Sequence, residues 1–224
     1  YDCYKTFYNL QNMTLSVAGN VDEDEVIRAC DEFLIPVEDK KLDSFFDDEP
    51  DEVYKKEVVE HFSVGMPIFN IGFKSKGFRG RELVKMETAA AIVMQMLFGN
   101  ISPLYKDLLD SGLINSNFSY EVFDMEGVFS CICSGESKDP KAVLEKCIEA
   151  VENVKKNGLD IKQFEMLKKS KFGCTIRNLN SVENCASLMM LTNFIGLDAF
   201  SFAEELAKLT YDDCMKAIDL LLDT

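Results

Sequence analysis

Residues 114–137 read INSNFSYEVFDMEGVFSCICSGES. In both arms of this stretch apolar and polar side chains alternate, and Met125–Gly127 lies between them as a turn. A period of two marks strands with one covered face, and a glycine in the connection suits a tight reversal. The stretch therefore predicts an antiparallel strand pair. Cys131 and Cys133, two apart, fall on one face of its second strand.

Working outward, SPLYKDLLDSG (102–112) predicts a short helix capped by Ser102, with Pro103 in its first turn and Gly112 as its stop. Arg81–Phe98 predicts a longer helix rich in Ala, Met and Leu, ended by Gly99. Before it, EVYKKEVVEHF (52–62) and PIFNIGFKS (67–75) predict two strands; in the second, Phe69, Ile71 and Phe73 share the more apolar face. Met13–Ala18 is apolar on both faces and predicts a covered strand inside the sheet. It turns at Gly19-Asn20 into a helix capped by Asp22, with Glu25 three residues on and an apolar stripe of Val26, Ile27, Cys30, Phe33 and Leu34.

Beyond the pair the pattern turns helical. Predicted helices begin at Asp139-Pro140, Asp160 and Ser181, followed by DAFSFAEELAKL (198–209) and TYDDCMKAIDLLL (210–222), the last capped by Thr210 with Asp213 three residues later. The fold class is α+β: a mixed, largely antiparallel sheet of about five strands, with helices on one face and a helical tail. The expected organisation is a single domain over residues 1–224, with the core sheet within 10–136 and the helices within 139–222.

The composition narrows the function. A formal net charge of −15 argues against a nucleic-acid partner, which needs clustered Lys and Arg. The densest acidity lies in 43–60, DSFFDDEPDEVYKKEVVE, read as a solvated connector around Pro50. No run is long and apolar enough for a membrane span, and the opening YDCYKTFYNL has no signal-type apolar region. Eight cysteines scattered through core-like segments predict free thiols and a cytoplasmic setting. Cys131 and Cys133 alone do not close a tetrahedral metal site. With His61 as the sole histidine, neither HExxH nor HxxEH is possible, and His61 reads as an ordinary strand-end residue. There is no glycine-rich phosphate loop. The chain by itself is expected to be inactive, with no catalytic residue and no metal ligand of its own.

The order of segments is more telling than any one of them. FY…NMTLSVAGNVD, then LFGNISPLYKDLLDSGLINSNFSYE, then ELAKLTYDDCMKAIDLLL together resemble the C-terminal half-domain of M16 metallopeptidases. These are the inverzincins that include pitrilysin, insulin-degrading enzyme and mitochondrial processing peptidase. The likeness spans nearly the whole chain, is most specific at Tyr8–Asp22 and Gly99–Ser119, and is closest in wording to bacterial members found as adjacent gene pairs. It implies that HxxEH and the zinc-binding glutamate lie in a preceding N-terminal half, with zinc held there or in a partner. It implies a wall of a peptide-enclosing chamber whose partners are a peptide substrate, the N-terminal half-domain and a paired M16 subunit. The alternative is a non-catalytic subunit that assembles with an active M16 protein and holds its substrate. In several members this half lends an arginine and a tyrosine to the substrate. Here the corresponding positions are Leu108 or Leu109 and Asn115, which leaves Lys106 and Asn115 as the nearest polar candidates for substrate binding. The stripe of Leu104, Tyr105, Leu108 and Leu109 predicts a structural helix, with Leu108 or Leu109 in the core.

Overall fold

The computed structural model describes residues 1–35 and 45–223. Asp43 and Ser44, the start of the predicted connector, lie outside the described residues. The chain divides into two compact units. One comprises Tyr1–Asp47 with Cys174–Ser201, the other Asp48–Gly173 with Phe202–Thr224.

The larger unit contains the sheet. Strands β1 (Ile68–Lys76), β2 (Ser119–Met125) and β3 (Val128–Glu136) are antiparallel in the order β1-β3-β2. The predicted pair forms as β2–β3, with Met125 opposite Val128 across a two-residue turn in which Gly127 has φ +84°. Such a turn needs positive φ, which glycine adopts without strain. β1 pairs with β3 from Ile68↔Glu136 to Lys76↔Val128. Past its end, Gly77 N donates to Gly127 O at 3.0 Å, so close that a side chain at Gly77 would collide with the turn backbone.

One sheet face is covered. Phe69, Ile71 and Phe73 of β1 and Phe129, Cys131 and Cys133 of β3 are buried on it. Helix α3 (Gly80–Phe98) lies against β2 and β3 and is buried around most of its circumference, where Ala89 and Ala90 allow close approach. Its buried Thr88 hydroxyl donates to Val84 O at 2.7 Å, so no polar atom is stranded there. α4 (Pro103–Asp110) and α5 (Pro140–Asn157) follow, then α6 (Ile161–Asn178), which begins in this unit and ends in the other. α9 (Tyr211–Leu221) packs on α3, β1 and β3, with Cys214, Ala217, Ile218 and Leu221 buried. Its start carries a reciprocal capping box between Thr210 and Asp213. The predicted caps at Ser102, Asp139 and Asp160 each accept from a backbone N–H two to three residues into their helices. The last helix to be placed, α8 (Ser201–Lys208), sends Glu204 and Glu205 to Arg81 of α3.

The smaller unit contains α1 (Asp2–Phe7), a 3-10 turn at Leu10–Asn12, α2 (Glu23–Phe33) and α7 (Val182–Phe194). Asp22 caps α2 as predicted, accepting from Glu25 N at 3.0 Å, yet no residue of α2 is buried. The expectation of about five strands is corrected here: the described residues hold three. Met13–Ala18 is not a strand inside the sheet. Among the described residues its backbone joins no strand ladder, and Leu15 is 65% exposed. Residues 52–62 form no strand either. In both segments the sequence favours an extended backbone, but a strand also requires a partner's ladder of hydrogen bonds, and none is supplied.

Candidate functional site

The segment from α4 into β2 holds both residues singled out for peptide contact. Ser102 Oγ accepts from Tyr105 N at 3.0 Å and Pro103 fills the first turn, so α4 starts where the sequence places it. Leu108 is 0% exposed and Leu109 is 41% exposed. Leu108 is therefore the core anchor of α4, and Leu109 lies at its surface. Carbonyl O of Leu108 also accepts from Leu113 N at 3.0 Å, closing the helix end.

Lys106 is exposed, and its side chain has no hydrogen bond or ion pair among the described residues. It borders an open groove of about 450 Å³ together with Ile101, Pro103, Tyr105 and Leu109. Asn115 does not line that groove. Its Nδ2 donates to Glu136 Oε2 at 2.6 Å, and its Oδ1 accepts from Asn117 N at 2.9 Å. The amide nitrogen thus joins the loop before β2 to the end of β3, and the amide oxygen closes a turn within that loop. Glu136 is the residue that sequence reasoning missed; nothing local connects it to a loop 21 positions earlier.

On the other sheet face no helix among the described residues covers the strands' outward residues: Ile68, Asn70, Gly72, Lys74 and Lys76 of β1; Ser130, Ile132 and Ser134 of β3; Glu121, Phe123 and Met125 of β2. A Cβ added at Gly72 would meet nothing within 4 Å, so the centre of this face is open. Asn70 and Ser134 are joined across it at 2.7 Å.

A zinc ion does not suit the residues present. No group of three or more His, Cys, Asp or Glu among the described residues is arranged to hold a metal. His61 is exposed in an extended segment. Burial pushes the Cys131 and Cys147 thiols up to about 12, and Cys133 is raised further by burial and by its thiol neighbours. Metal ligation needs the thiolate, which such surroundings oppose.

Residues 1–171 match the family model described as "Peptidase M16 inactive domain". The chain belongs to the peptidase M16 family. A curated relative, the "Uncharacterized zinc protease YmfH" of Bacillus subtilis, is 27% identical over 230 residues, covering 97% of this chain and 52% of its own length. The chain thus spans about half the length of this curated relative. Among solved structures, a protease from Helicobacter pylori is similar with a TM-score of 0.74 at 19% identity, covering 92% of this chain and 51% of its own. An "M16-like peptidase" from Alicyclobacillus acidocaldarius gives 0.68 at 23% identity, covering 73% of this chain and 40% of its own. At those identities the likeness carries the M16 fold. Among the described residues no helix is long and apolar enough to cross a membrane.

Proposed function

We propose that residues 1–224 form the non-zinc-binding half of an M16 zinc peptidase and supply one wall of a chamber that encloses peptides. The observation that carries this reading is the match of residues 1–171 to the inactive domain of the family. On this reading zinc and its HxxEH ligands belong to an N-terminal half or a paired subunit. This half contributes shape and surface, and the assembly works in the cytoplasm of a bacterium. Helix α3 under the sheet gives a rigid support, and the opposite, helix-free sheet face is the surface offered to substrate.

The test is reconstitution. The chain alone should retain no stoichiometric zinc and cleave no peptide, whereas the chain joined to its zinc-binding half should hydrolyse unstructured peptides and lose that activity to a chelator. Tight zinc binding or peptide cleavage by the chain alone would overturn the reading. A second reading, a subunit that assembles with an active M16 protein and holds substrate, is supported by the aliphatic residues Leu108 and Leu109 where the family resemblance puts an arginine, Leu108 being buried. A buried aliphatic side chain cannot donate to a substrate carbonyl. An N-terminal half lacking HxxEH would decide for this second reading.

A further inference from the structure

The acidic stretch Glu49–Glu52 is not merely solvated, because it is tied to the open sheet face. Lys74 Nζ donates to Glu49 Oε1 at 2.5 Å, to Pro50 O at 2.5 Å and to Glu52 O at 3.4 Å. Three acceptors match the three donors of an ammonium group, and the Lys74 side chain is left 19% exposed. Two residues along the same face, Lys76 Nζ lies 3.1 Å from Asp51 Oδ2.

The attachment is by side chain alone. No backbone hydrogen bond joins residues 49–52 to the sheet, and Pro50 has no N–H to give one. The Lys76–Asp51 pair, with Lys76 76% exposed, contributes little and is screened by salt, so the strap is held chiefly at Lys74. The remaining charges on the outward side of the strands are Glu121 and Glu136. With the strap seated, Glu49 pairs with a largely covered Lys74 and Asp51 with a still exposed Lys76. With it released, the face presents two cations two residues apart beside exposed Phe123 and Met125.

We propose that Glu49–Glu52 is an internal occupant of a site for extended acidic peptides, centred on Lys74 and Lys76, and that it competes with such peptides for the sheet face. The strap itself shows the fit: it is an acidic segment whose Glu49 and Asp51 carboxylates and two backbone carbonyls meet these lysines. The proposal rests on the reading of this face as a peptide-contacting wall for its biological setting, while its test needs no peptidase activity. The apparent affinity of a site scales with the fraction of molecules in which it is free, so a strap seated in about nine-tenths of molecules masks about tenfold in affinity.

The probe is a fluorescein-labelled peptide with the sequence of residues 47–52, DDEPDE, titrated into the 224-residue chain and followed by anisotropy. The variant Glu49→Gln/Asp51→Asn, whose strap loses both carboxylate pairs and keeps only its backbone carbonyl contacts to Lys74, should bind it more tightly than the parent chain, by up to about tenfold. Adding Lys74→Met/Lys76→Met to that variant should abolish binding, with unchanged circular dichroism showing that the fold is kept. Should the double methionine variant not fold, Lys76→Met alone must weaken binding at least about threefold, the loss of one of two cationic contacts. Equal binding by the parent chain and the strap variant, or binding that survives removal of the lysines, overturns the proposal. Peptide binding by a chain whose reconstituted assembly cleaves nothing would count against the proposed function and leave this site standing.

Discussion

Replacing Leu108 with alanine asks whether α4 is held by its core contact. The side chain is fully buried and is the sole buried residue of α4. Truncation removes three carbons, which at about 0.8 kcal/mol for each buried group loses about 2.4 kcal/mol of transfer free energy. The surroundings of a site enclosed on all sides relax incompletely, and the remaining cavity raises the total to about 3–4 kcal/mol. For a chain of this size each kcal/mol lowers the melting temperature by about 2–4 °C, so Leu108→Ala should melt about 6–16 °C below the parent chain. Leu109→Ala is the matched control, one position along the same helix but 41% exposed, and should cost under about 1 kcal/mol. Thermal unfolding followed by far-ultraviolet circular dichroism measures both. A Leu108→Ala chain that melts with the parent, or a Leu109→Ala chain destabilised as much, would refute the assignment of Leu108 as the anchor.

Asn115→Ala should cost about 1.5–3 kcal/mol, the range for a hydrogen bond to a charged group, by releasing Glu136, while Lys106→Ala should stay within about 0.5 kcal/mol. If Lys106→Ala instead abolishes peptide turnover by the reconstituted protein at unchanged stability, Lys106 is a substrate contact. Thiol titration of the native chain should find Cys3 and Cys174 reactive and Cys131, Cys133, Cys147 and Cys214 protected, with all eight released by denaturant under non-reducing conditions. Recovery of six or fewer would mean disulfides. Glu87 is pushed up from 4.5 to about 7 by burial, then by the charge of Asp124 and a hydrogen bond with it, against the opposing Lys171. A carboxyl with a raised native pKa binds more protons folded than unfolded, so its contribution to stability falls as pH rises from about 4.5 through about 7. Glu87→Gln should flatten that fall in denaturant midpoints measured across the range; an unchanged profile would sink the assignment.

Most of the helices and the β2–β3 hairpin could be read in the sequence because their signals are local. Ser102, Asp139 and Asp160 each sit within three residues of the N–H they cap, and Gly127 sits inside its own turn. The misread strands have a different cause. Met13–Ala18 and 52–62 carry the right residue types, but pairing is decided by distant chain, and alternation fixes a face without naming a neighbour. The candidate site follows the same division. Leu104, Tyr105, Leu108 and Leu109 reveal an amphipathic helix, whereas the Asn115–Glu136 bond and the seat of Glu49 on Lys74 span 21 and 25 residues and leave no trace in periodicity.

The central position of β3 also sets an order of assembly. One neighbour, β2, is reached through a two-residue turn, and hairpins of that kind close in about 1–10 µs. The other, β1, lies across the whole of α3 and α4, with Ile68 opposite Glu136, so its pairing waits on the closure of a long loop. Pulse-labelled hydrogen exchange during refolding should therefore find the β2–β3 amides protected before those of β1. During that interval β3 has an unpaired edge beside the exposed thiols of Cys131 and Cys133, and a nascent chain is most open to mispairing and oxidation there.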